Sequence, residues 1–319
     1  MSRIFDALQR SGVEQSGVEY PDLISVVSEV FEAKEAPSET PENADPLLDM
    51  DLSALDLQPD PAETVEPAPK KFVSQELMEF PAVNVGLSSS SRLVFFTEPD
   101  SLAAEKLRFL GVRLRQLQQT RTLKRVLVTS SIPQEGKSFV SANLAGVLAR
   151  RKQKVLLIEG DLRRPSLAHQ FGLGRVAGLG EWLQSAPSTV SNIYRLEGPN
   201  FWMLPAGAPP SNPLELMQSG HLSRLMGQLA TMFDWIIVDS PPLLPLADTT
   251  VWARMTDGIL LVARPGTTQK ATLQRGLETI KKSDLLGVVM NGCSDSNVNS
   301  YYQAYARPGS NPETQNQVS

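Results

Sequence analysis

The residues of this 319-residue chain best equipped for chemistry form one short run, Ser131-Ile-Pro-Gln-Glu-Gly136-Lys137-Ser138. The spacing is that of a loop whose backbone N–H groups wrap phosphate oxygens at the start of a helix. In such a loop Gly136 lets the backbone approach the phosphate closely, Lys137 supplies positive charge, and the Ser138 hydroxyl is a Mg²⁺ ligand. Gln134, Glu135 and Phe139 flank these residues and belong to the same expected nucleotide cradle. Two further runs end in carboxylates: Val-Leu-Leu-Ile-Glu159-Gly160-Asp161-Leu162-Arg163-Arg164-Pro165, and Trp-Ile-Ile-Val-Asp239-Ser240-Pro241-Pro242. A carboxylate closing a hydrophobic strand beside such a loop holds Mg²⁺ directly or through water. Ser138 and Asp239 are therefore expected to hold the metal, with ATP and Mg²⁺ the expected ligands.

The elements that must position these residues are readable from the apolar runs. Strands are expected at 125–130, 154–158, 201–204, 234–238, 258–263 and 286–290, with helical stretches between them. Near-continuous apolar runs of this length suit strands covered on both faces, and their alternation with helices predicts a doubly wound, mostly parallel α/β sheet. In that fold the strand C-termini gather at one edge, where ligands bind. A capped helix is expected from Asp100 or Ser101, and an amphipathic one directly after the phosphate loop.

Charge is unevenly distributed. Residues 1–91 hold 5 Lys/Arg and 18 Asp/Glu, a net of −13, whereas residues 92–319 carry a net of +8. Pro37, Pro41, Pro46, Pro59, Pro61, Pro67 and Pro69 stand among the acidic residues, and such a stretch cannot bury enough apolar surface to offset its chain entropy. The expected organisation is a short N-terminal helix (Ile4, Phe5 and Leu8 on one face) plus a disordered acidic leader over 1–95, a P-loop domain over 96–295, and a flexible tail over 296–319. The lone Cys293 excludes an internal disulfide and a thiolate zinc site. His169 and His221 have no carboxylate-rich neighbourhood in the sequence. No apolar run reaches bilayer-spanning length and no signal-peptide core precedes the leader, which predicts a cytoplasmic protein.

Several segments together resemble the bacterial tyrosine kinases (BY-kinases) of capsule and exopolysaccharide assembly. They are TSSIPQEGKS, LLIEGDLRRP, IIVDSPP, LPAGAPPSNPLELM and VVMNG, followed by Tyr301, Tyr302 and Tyr305 in the polar tail, and the resemblance covers about 96–305. It implies a P-loop protein-tyrosine autokinase that uses ATP and Mg²⁺. Asp161 and Lys137 would be catalytic, Asp161 also deprotonating the incoming tyrosine and completing, with Ser138 and Asp239, the Mg²⁺ site. Asn291 would contact adenine, and Tyr301, Tyr302 and Tyr305 would be autophosphorylated. It further implies self-association, a membrane polysaccharide co-polymerase as activator that recruits the chain to the inner face of the membrane, and a tyrosine phosphatase as counter-enzyme, with no role for nucleic acid. The chain departs from the family pattern at Gln134 (usually Gly), at Glu159 (usually Asp) and at Gly111, where the interface motif Glu105-x-x-Arg108-x-x-Gly111 lacks its second arginine. Two other readings stay open: a positioning ATPase of the Min/Par kind, which would carry a lysine where Ile132 stands, and an ATP-binding regulatory pseudo-kinase.

Overall fold

Alternation along each strand determines the layers of this protein. The computed structural model describes residues 80–85, 93–244 and 247–293. Eight strands run β1 (Ala82–Asn84), β2 (Arg125–Ser130), β3 (Val155–Glu159), β4 (Tyr194–Glu197), β5 (Phe201–Leu204), β6 (Trp235–Asp239), β7 (Gly258–Ala263) and β8 (Leu285–Met290). They form one sheet in the order β1-β4-β5-β3-β6-β2-β7-β8, and every pairing is parallel except β4 with β5.

Side chains two apart face the same way in a strand, so each central strand feeds two cores. Leu127, Leu156, Ile158, Ile236, Val238, Ile259 and Leu261 join one cluster; Val126, Val128, Val155, Leu157, Trp235, Ile237, Leu260 and Val262 join the other. The first core is closed by α5 (Leu179–Ser185), α6 (Pro213–Gln218), α7 (His221–Met232), α8 (Asp248–Arg254) and α9 (Lys270–Glu278). The second is closed chiefly by α2 (Leu102–Thr120) and α3 (Lys137–Ala149). Two short helices, α1 (Val94–Thr97) and α4 (Leu167–Gln170), complete the fold. The six strands expected from the sequence are all present, and the sheet is doubly wound.

Helix α2 begins where the sequence places it: the Ser101 hydroxyl accepts from the Ala104 N–H at 3.2 Å, a cap contributing about 1 kcal/mol. Its buried residues Ala104, Leu107, Leu110, Gly111 and Leu114 keep the helical period and pack on α3. A Cβ at Gly111 would lie 2.4 Å from Val147 Cγ1, so the missing arginine of the interface motif corresponds to a close helix–helix approach. The remaining two motif residues pair within the chain, Arg108 to Glu105 at 2.6 Å.

Two strands were not anticipated. β4 (Tyr-Arg-Leu-Glu) and β1 (Ala-Val-Asn) are short and half polar, with β1 at the sheet edge and β4 next to it, so neither leaves a hydrophobic run in the sequence. β1, together with buried Leu93 and Phe95, lies inside the stretch assigned above to the leader. The sheet thus recruits residues N-terminal to position 96. Among the described residues no helix is long and apolar enough to cross a membrane.

Candidate active site

Three adjacent strands, β2, β6 and β3, bring the site together. Asp239 is in register with Val128 on one side and Glu159 on the other, so both acidic strand ends lie beside the loop that follows β2. Backbone bonds tie the edge closed: Gly160 N–H to Asp239 O at 2.7 Å, and Leu243 N–H to Ser130 O at 2.8 Å.

The loop is held in shape by its own residues. Glu135 is fully buried and its carboxylate accepts from the Ile132 N–H at 2.8 Å and from the Thr268 hydroxyl; burial pushes its pKa up, against these hydrogen bonds. Its carbonyl accepts from Asn291 Nδ2 at 2.9 Å. Gly136, with φ of 95°, caps the start of α3, and a Cβ there would lie 2.0 Å from Asn291 Nδ2. Only glycine fits between the loop and the end of β8. Gln134 also has positive φ, 68°, the conformation for which glycine is best suited. Its side chain is exposed, whereas Phe139 packs its ring against the α2–α3 core.

At the mouth of the loop the polar groups converge. Lys137 Nζ lies 3.4 Å from Asp161 Oδ2 and 3.7 Å from Asp239 Oδ1. The Ser138 hydroxyl donates to Asp239 Oδ2 at 2.6 Å, and the Ser141 hydroxyl lies 3.3 Å from Asp239 Oδ1. Asp239 is 1% exposed, and burial raises its pKa; Lys137 and the Ser138 hydrogen bond oppose the rise, while Glu159 and Asp161 add to it. A buried carboxylate short of compensating charge is suited to a cation.

Glu159 has a different use from Asp161. One of its carboxylate oxygens accepts from the Ser166 and Leu167 N–H groups and the other from the Ala206 N–H, so it anchors the 160–167 loop and the end of β5. The longer carboxylate is thus engaged with backbone donors. Asp161, by contrast, accepts from the Arg164 N–H at 3.0 Å through Oδ1 and from Lys137 Nζ at 3.4 Å through Oδ2.

Lys137, Ser138, Asp161 and Asp239 are therefore brought together, and Glu135, Gly136 and Asn291 form the adjoining wall. Tyr301, Tyr302 and Tyr305 lie outside the described residues. Sequence reasoning missed Thr268, which holds Glu135, and Asp248, which binds Arg163; neither sits in a motif-like run.

No protein-family model matches the chain. Among curated proteins it is 35% identical over 211 residues to the tyrosine-protein kinase YwqD of Bacillus subtilis (strain 168), covering 66% of this chain and 89% of that one. It is 30% identical over 220 residues to the putative tyrosine-protein kinase CapB of Staphylococcus aureus, covering 68% of this chain and 96% of that one. Among solved structures, the kinase domain of the Escherichia coli tyrosine kinase ETK superposes with a TM-score of 0.60 at 25% identity, covering 73% of this chain and 98% of that one. With this fold, this loop and relatives matched over nearly their whole length, the chain belongs to the bacterial tyrosine-protein kinase family.

Proposed function

We propose that the chain binds ATP with Mg²⁺ at the 131–138 loop and transfers the γ-phosphate to tyrosine hydroxyls of its own C-terminal tail, Tyr301, Tyr302 and Tyr305. The observation that carries this reading is the convergence of Lys137, Ser138, Asp161 and Asp239 at the ends of three adjacent strands. Two carboxylates and one hydroxyl suit Mg²⁺, which takes few protein ligands and completes its shell with water and phosphate oxygens. Among the described residues there is no larger cluster that would favour a metal held by protein alone. When bound, Mg²⁺ neutralises charge on the β- and γ-phosphates.

The chain's own residues account for the rest. Lys137 shifts its charge from the two carboxylates to the phosphates, and loop N–H groups orient them at the start of α3. Ser138, Asp161 and Asp239 would hold the metal. Asp161 takes the proton of the tyrosine hydroxyl, ordinarily of pKa about 10, as the phenolic oxygen bonds to the γ-phosphorus. The bond from that phosphorus to the bridging oxygen breaks, and ADP leaves with the electron pair. Asn291, which holds the loop from the end of β8, would also contact the adenine.

The kinase body in this reading includes β1 and runs through β8, with the acidic leader before it and the tyrosine tail after it. The physiological setting in this reading is that implied by the family resemblance: control of capsule or exopolysaccharide assembly, self-association, a membrane co-polymerase as activator that brings a cytoplasmic kinase to the membrane, and a tyrosine phosphatase that reverses it. Incubation with labelled ATP and Mg²⁺ tests the chemistry. Asp161→Asn should lose transfer while retaining nucleotide binding, and simultaneous Phe replacement of Tyr301, Tyr302 and Tyr305 should remove most incorporated phosphate. Phosphate that maps to Tyr20 or Tyr194 instead would overturn the tail assignment.

A further inference from the structure

The loop that carries Asp161 is gripped from outside the nucleotide site by one short helix, α8. Gly160 O accepts two donors at once, the Leu162 N–H at 3.1 Å and the indole Nε1–H of Trp252 at 3.1 Å. The turn just before Asp161 is therefore capped by a fully buried side chain. The fit is close: a Cβ on Gly160 would lie 2.8 Å from Trp252 Nε1. On the other side of Asp161, Arg163 makes a two-pronged pair with Asp248, Nε to Oδ2 at 2.7 Å and an Nη to Oδ1 at 3.1 Å. Asp248 is 1% exposed. The hydrogen bond to Asp248 raises the Arg163 pKa. Residues 248 and 252 are one helical turn apart, so both grips come from the same face of α8. Between them, Thr249 Oγ1 donates to Pro241 O at 2.9 Å, reaching the segment that follows Asp239. One helix thus touches the chain on both sides of Asp161 and immediately after Asp239, yet contributes no side chain to the Lys137–Ser138 cluster.

We propose that α8 is a positioning element for phosphoryl transfer, in which Asp248, acting through Arg163, and Trp252, acting through Gly160, set the Asp161 carboxylate opposite Lys137. The inference rests on the role given to Asp161 in the proposed function. A carboxylate that must meet an incoming hydroxyl works only within a narrow range of positions, and displacement of about 1 Å costs on the order of a hundredfold in rate. The Arg163–Asp248 pair gives two bonds in a fixed plane, a geometry that lysine cannot reproduce. Asp248 and Trp252 are positioning residues, since neither reaches the reacting atoms.

The test compares Asp248→Asn, Arg163→Lys, the double variant and Trp252→Phe with the parent and with Asp161→Asn, all as full chains. Tyrosine phosphorylation with labelled ATP and Mg²⁺ gives turnover and KM, and a fluorescent ATP analogue gives nucleotide affinity. Turnover should fall about ten- to a hundredfold in Asp248→Asn and Arg163→Lys, with KM and affinity within about threefold of the parent. The double variant should be no worse than the poorer single one, because both changes break one unit. Without nucleotide, backbone amides of 160–165 should exchange hydrogen faster, while those of 131–136 keep the parent rate. If Asp248→Asn fails to fold, Arg163→Lys, at a side chain 40% exposed, carries the test, since Trp252→Phe removes buried ring volume together with the N–H donor. Turnover within threefold of the parent, a loss matched by nucleotide affinity, or additive effects in the double variant would each overturn the inference. An inactive Asp161→Asn beside a normal Asp248→Asn sinks this inference alone, whereas an active Asp161→Asn sinks the assignment of Asp161 and this inference with it.

Discussion

Replacing Gln134 by glycine should stabilise the protein, and the loop geometry sets the size of the gain. Gln134 has φ of 68° and an exposed side chain, so its Cβ is paired with a backbone conformation that disfavours it by about 1–2 kcal/mol. Glycine removes that cost but gives the unfolded chain more freedom, which takes back about 0.5–1 kcal/mol. The net for Gln134→Gly is a gain of about 0.5–1 kcal/mol, or roughly 2 °C in Tm for a folded body of this size. Gln134→Ala keeps the Cβ and should shift stability by less than about 0.5 kcal/mol. Urea denaturation and thermal melts of the three proteins, with ATP affinity measured alongside, make the comparison. Affinity should hold within about threefold, because the backbone already has the conformation that glycine favours. A Gly variant less stable than the Ala variant would refute the argument, since strain at this φ would then not be the governing term.

Asp239→Asn should abolish Mg²⁺-dependent nucleotide binding yet stabilise the ligand-free protein. With its pKa raised by burial, the folded state holds the Asp239 proton more tightly than the unfolded state does, so its contribution to stability falls as pH rises from the ordinary carboxylate value to the raised one. Denaturation midpoints taken between about pH 4 and 7 should show that slope in the parent relative to the Asn variant, and parallel curves would contradict it. At the back of the loop the buried Ser131 hydroxyl has no hydrogen-bond partner among the described residues, and a Cβ at Gly276 of α9 would lie 2.6 Å from it. Gly276→Ala should therefore destabilise by about 1–3 kcal/mol, and adding Ser131→Gly should restore most of the loss in thermal melts; equal melting of single and double variants would count against this contact.

The sequence by itself determined the central strands and the residues at their ends. Apolar runs such as Val155–Ile158 and Trp235–Val238 are hydrophobic at every position because both faces are covered, and that pattern is local. The phosphate loop is equally local, since its glycine, lysine and serine must be neighbours along the chain to surround one phosphate. What only the tertiary structure decided is which distant residues those ends meet. The Glu135–Thr268 bond spans 133 residues and the Arg163–Asp248 pair spans 85, and nothing in the spacing announces either partner. Glu159 and Asp161 look alike in the sequence, yet one is committed to backbone N–H groups and the other faces Lys137. The strands β1 and β4 were invisible for a related reason. β1 is held by β4, far away in sequence, β4 lies between β1 and the neighbouring β5, and the half-polar side chains of both carry little of the apolar periodicity that marks a buried strand.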